Sequence, residues 1–155
     1  MRQKKFLCAL LVCVVAAGCL LTPASAAKAP DENIVFLDDL KWEWVDLSTV
    51  GQMEEDARSR ARAPADGTYS AHSIHALGQS ISFQADNIIT FNCSYSPLSA
   101  SMDFGVIASN GRFYYINVKG GSINQAIRIS QSGSYTVAIR NNSSQTVRVV
   151  GFVNY

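Results

Sequence analysis

His72 and His75 are spaced as H-x-x-H, Cys93 is the last of four cysteines, and Asp86 and Asp103 are the only acids after residue 66. These side chains could ligate a metal, attack a carbonyl or hydrolyse a glycosidic bond. Their spacing argues against each use. The histidines sit in "TYSAHSIHAL", which alternates as a strand does, so an odd spacing sends the two rings to opposite faces and a shared metal is not expected. Cys93 in "IITFNCSY" shares a strand face with Ile89, Phe91 and Tyr95. It reads as a small buried apolar residue rather than a nucleophile. Paired carboxylates for glycoside hydrolysis must meet at one cleft. Asp86 precedes Asn87 in a turn, and Asp103 lies between Met102 and Phe104, facing away from both. The chain carries no H-E-x-x-H, no G-x-S-x-G and no phosphate-cradling glycine loop. No catalytic residue, metal or cofactor is expected, and a small secreted hydrolase is the weakest alternative.

The remaining candidates for contact are aromatic. Trp42, Trp44, Tyr69, Tyr95 and Tyr114 could stack on sugar rings, or could equally be core and half-buried sheet residues. The stretch "RFYYINV" is apolar on both faces, with Phe113 and Tyr115 on one and Tyr114, Ile116 and Val118 on the other. Val150 and Phe152 fall opposite the core side of the last strand. The candidate ligand contacts are therefore Trp42, Trp44, Tyr114 and Phe152.

From Thr68 onward the apolar period is two. Turn signals at Gly78, "DN", Pro97, "SNGR", "KGG", "QSG" and "NNSSQ" separate about seven or eight short strands. Asn110-Gly111 between apolar strands is a strong hairpin signal. In the closing segment "SGSYTVAIRNNSSQTVRVVGFVNY", Tyr135, Val137 and Ile139 share a face, and Val147, Val149, Val153 and Tyr155 continue it. The pattern predicts a mainly β chain: an antiparallel, jelly-roll-like β-sandwich over 67–155.

Residues 27–66 read differently. Pro30, Asp31 and Glu32 suit a helix start, and Leu37, Leu40, Trp44 and Leu47 form one helical stripe. A strand reading of "KWEWVDL" aligns Trp42 with Trp44 but breaks its alternation at Asp46, so a helix is expected. A second helix could begin at Thr49, with Glu54–Arg58 and Asp56–Arg60 as i,i+4 pairs, and stop at Pro64. "RSRAR" is then a solvated helical face, or a protease-sensitive linker. The first helix is expected to shield Tyr114, Ile116, Val150 and Phe152.

The start of the chain places these elements in a compartment. Arg2, Lys4 and Lys5 precede the apolar run "FLCALLVCVVAAGCLL" and the small-residue site "ASAA". This predicts a signal peptide over 1–26, cut between Ala26 and Ala27. "VAAGC" offers an alternative, lipidation at Cys19, which would make a membrane-anchored lipoprotein. After cleavage only Cys93 is left, so no internal disulfide is possible, and no second apolar run predicts a transmembrane span. Three of the thirteen basic residues lie in the leader, leaving ten against twelve acids, a charge of −2. That balance excludes nucleic acid and anionic lipid as electrostatic partners.

The rhythm "SGSYTVAIRNNSS…V…G" resembles the β-sandwich modules of the bacterial pre-peptidase C-terminal and GOLD types, and the last ninety residues look like small exported bacterial proteins of unknown function. The resemblance implies an accessory module rather than an enzyme. The expectation is a secreted, non-enzymatic binding or interaction module whose unknown partner is a protein or, alternatively, a glycan.

Overall fold

The computed structural model describes residues 33–52 and 62–155. The expected leader, its cleavage site at Ala26 and Ala27, the alternative lipidation at Cys19, and the stretch carrying Arg58 and Arg60 lie outside the described residues. The chain is mainly β, and no α-helix occurs among the described residues. No helix there is long and apolar enough to cross a membrane.

The strands in chain order are β1 (Ile34–Phe36), β2 (Lys41–Trp44), β3 (Gly51–Gln52), β4 (Arg62–Pro64), β5 (Gly67–Tyr69), β6 (Ile74–Ala76), β7 (Ile81–Phe83), β8 (Ile88–Ser96), β9 (Ser101–Ala108), β10 (Arg112–Lys119), β11 (Ser122–Arg128), β12 (Gly133–Asn141) and β13 (Val147–Asn154). One sheet runs β1-β11-β8-β13-β4, with β5 also on β13. The other runs β2-β10-β9-β12-β6-β3, with β7 also on β12. Orientation is mixed: β1 lies parallel to β11 and β3 parallel to β6, and the other pairs are antiparallel.

The alternation of the sequence sets the core. Ile89, Phe91, Cys93 and Tyr95 of β8 face Met102, Phe104 and Val106 of β9, joined by Val137 and Ile139 of β12 and Val147, Val149 and Val153 of β13. Phe91 and Phe104 meet edge to face at 6.0 Å across the two sheets. β13 is an inner strand, bonded to β8 on one side and to β4 and β5 on the other.

The expected N-terminal helix is not what residues 33–52 form. They form β1, a 3-10 turn at Leu37–Asp39, β2, a second 3-10 turn at Leu47–Thr49 and β3. "KWEW" is a strand of period two, paired with Arg112–Tyr115. Asp46 marks its end: the carboxylate accepts hydrogen bonds from the Ser48 N–H and hydroxyl at 2.9 and 2.7 Å, capping the turn that follows. The helical stripe never becomes one surface, because Leu37 is buried in the core while Trp44 and Leu47 are exposed.

The segment still covers a sheet, but on another face and with other partners. Val45 and Val50 pack on Ile74, Ile107, Phe113 and Ala138, a small apolar cluster on the outer side of the second sheet. Tyr114 and Ile116, expected to need this cover, instead pack against the main core. Val150 stays exposed.

Candidate functional site

The residues singled out for catalysis are not brought together. His72 is an exposed turn residue with φ +56°. His75 lies half-buried edge-on to Tyr69 at 5.2 Å, and burial lowers its pKa. Cys93 is buried, and desolvation pushes its thiol up to about 12. Asp86 sits in a turn 3.7 Å from Arg128. No group of three potential metal ligands occurs among the described residues.

Asp103 makes a cluster that sequence spacing did not signal. It stands directly opposite Asn117 on β10 and Arg140 on β12, and its residue is 0% exposed. The Arg140 Nε and NH2 donate to its carboxylate at 2.9 and 2.5 Å. Asn117 and Asn142 donate their side-chain amides to it as well. Burial raises the Asp103 pKa, and these donors work the other way. Arg140 also pairs with Glu43 of β2 and lies over the stacked rings of Phe113 and Tyr115. A satisfied, enclosed carboxylate is no general base. What it does is structural: through Arg140 and Glu43 it ties the edge strand β2 to the middle of the sheet.

That anchorage fixes the opposite face of β2. Lys41 and Glu43 point to the outer side, so Trp42 and Trp44 point to the other side of the pleat. There β2 is the edge strand, and the indoles overhang the core's margin at 46% and 62% exposure. Their rings meet edge to face at 5.9 Å. Arg112 lies beside both, its guanidinium carbon 4.4 Å from the Trp42 ring centre and 5.1 Å from that of Trp44. The Asn110-Gly111 turn, legible in the sequence, sets Arg112 in place. Gly111 holds φ +87°, its carbonyl accepts from the Val45 N–H at 2.9 Å, and Asn110 Oδ1 accepts from the Arg112 N–H at 3.1 Å.

Beside these rings opens a groove of about 400 Å³. The 3-10 turn contributes Leu37 and Asp38, β2 contributes Trp42, the hairpin contributes Ser109, Asn110, Arg112 and Tyr114, and the loop before β12 contributes Gln131, Ser132 and Ser134. Its lining mixes a carboxylate, a guanidinium, amides and hydroxyls with aromatic surface. Two smaller depressions of about 280 and 320 Å³ along β11 have no aromatic side chain in their walls.

Of the four candidate contacts, Trp42, Trp44 and Tyr114 gather at this end of the sheet, since Trp42 pairs with Tyr114 and Trp44 with Arg112. Phe152 does not join them. It lies on β13 in the other sheet, half-buried beneath the Arg62 guanidinium at 3.6 Å. Sequence reasoning missed Arg112, Asp38 and the polar loop 131–134; the hairpin signal at Asn110-Gly111 was the one pointer to Arg112. No family model, curated protein or solved structure matches this chain.

Proposed function

We propose that the chain is an exported, non-enzymatic binding module that holds a saccharide in the groove beside Trp42, Trp44 and Tyr114. The observation that carries this reading is the juxtaposition of two exposed indoles with a groove walled by hydrogen-bonding side chains. Sugars present apolar C–H faces and a rim of hydroxyls, so an aromatic surface beside carboxylate, amide and hydroxyl groups matches both parts. The strand orders β11-β8-β13-β5 and β10-β9-β12-β6 also suit a jelly roll, an architecture found among lectin domains, though fold analogy alone carries no function. The expected leader supplies the route to extracellular glycans.

A protein partner is the second reading. It is favoured by Phe36, Ile88 and Val150, exposed apolar side chains of the other sheet. A glycan array probed with residues 27–155, beside Trp42→Ala and Trp44→Ala, separates the two. Saccharide binding lost in either variant is expected. Binding unchanged in both, or a bare array beside a protein captured through Val150, overturns the saccharide reading.

A further inference from the structure

Among the described cations, Arg140 and Arg128 form ion pairs, and of those that do not, Arg112 lines the groove. Arg140 holds two acids, and Arg128 has Asp86 at 3.7 Å. Arg112 forms no ion pair among the described residues. It is half-buried, its Nε is enclosed without a hydrogen-bond partner, and the two indoles flank its guanidinium. A partly desolvated guanidinium without a counter-ion gains charge-assisted hydrogen bonds from a planar carboxylate offered to the part of it that faces the groove. Asp38 lines the same groove and forms no ion pair among the described residues. Its carboxylate can accept from neutral hydroxyls but repels a densely charged polyanion. One acid group per sugar ring with free hydroxyls beside it meets both demands; a heavily sulfated chain does not.

We propose that the ligand is an acidic saccharide of the uronic-acid class, its carboxylate held by Arg112 and its ring set against Trp42. This rests on the saccharide reading of the groove and narrows it. Arg112 thereby becomes the residue that selects acid over neutral sugar, and Trp42 the residue on which both depend.

The test titrates residues 27–155 with oligosaccharides of galacturonic, glucuronic and mannuronic acid, each beside its carboxyl-reduced neutral counterpart. The wild type, Arg112→Gln and Trp42→Ala are compared, all first shown to melt alike. The expected result is an acidic member that binds about tenfold or more tightly than its reduced counterpart, with affinity falling as salt is added. Arg112→Gln should bring acid and neutral forms to equal affinity, and Trp42→Ala should weaken both. Equal binding of acid and neutral forms by the wild type, or a preference that survives Arg112→Gln, overturns the acidic assignment and leaves the saccharide reading standing. A wild type that binds no member of either series overturns both.

Discussion

Arg140 and Asp103 carry the largest single-residue consequence. Replacing Arg140 by Leu leaves Asp103 buried without its hydrogen-bonded counter-ion, held by the Asn117 and Asn142 amides with the Lys41 charge nearby. Removing one partner of a buried pair typically costs about 3–5 kcal/mol. The expected outcome in urea unfolding is a loss of that order, partly restored in the Arg140→Leu/Asp103→Asn double variant; a change below about 1 kcal/mol would show that the pair is dispensable. His75 predicts a pH effect of defined sign. Burial lowers its folded-state pKa, so its neutral ring contributes stability that is complete above the ordinary imidazole value of about 6.5 and is lost as pH falls through the lowered one. The melting temperature should therefore drop from pH 7 to pH 5, and His75→Gln should flatten that part of the profile. Residues like Asp103 were illegible in one dimension. The alternation placed it opposite Met102 and Phe104, but its fate depends on β10 and β12 lying at a register that sets Asn117 and Arg140 beside it. Cys93 was legible because its face was filled by its own strand.

Among the elements, the inner strands were the readable ones. Val147, Val149 and Val153 announce a core face by spacing alone, and all three are buried. Because β13 joins β8 to β4 and β5, removing residues 146–155 would split its sheet, and loss of cooperative melting is expected. A truncated chain that still melts sharply would contradict this. β2 was misread because a short edge strand with four residues offers too few alternations to outweigh a chance 3-4-3 spacing of leucines and tryptophan. The covering segment after it has its own test. Val45→Ser with Val50→Ser should uncover Ile107 and Phe113, lower stability by about 1–3 kcal/mol and raise binding of a hydrophobic dye. No gain in dye binding would mean that the segment shields nothing.

At the scale of the whole molecule, two sheets enclose one main core, and β2 is an edge strand of the second sheet. Asp103, Arg140 and Glu43 brace the outer side of β2, and the same strand presents its indoles on the other side. The brace explains how exposed aromatic side chains can be held in one arrangement at a sheet edge. The expected leader has its own test: secreted material should begin at Ala27, and N-terminal sequencing that finds a lipidated Cys19 would replace free secretion by membrane anchoring. The central claim, that the groove lined by Trp42 is where ligand binds, has an internal reporter. These are the chain's only two tryptophans: Trp42 lines the groove, and the Trp44 ring stands 5.9 Å from it. Tryptophan emission followed during titration with uronic-acid oligosaccharides should change saturably, with a midpoint equal to the dissociation constant from calorimetry. Calorimetric binding with unaltered emission would place the ligand elsewhere and contradict the account.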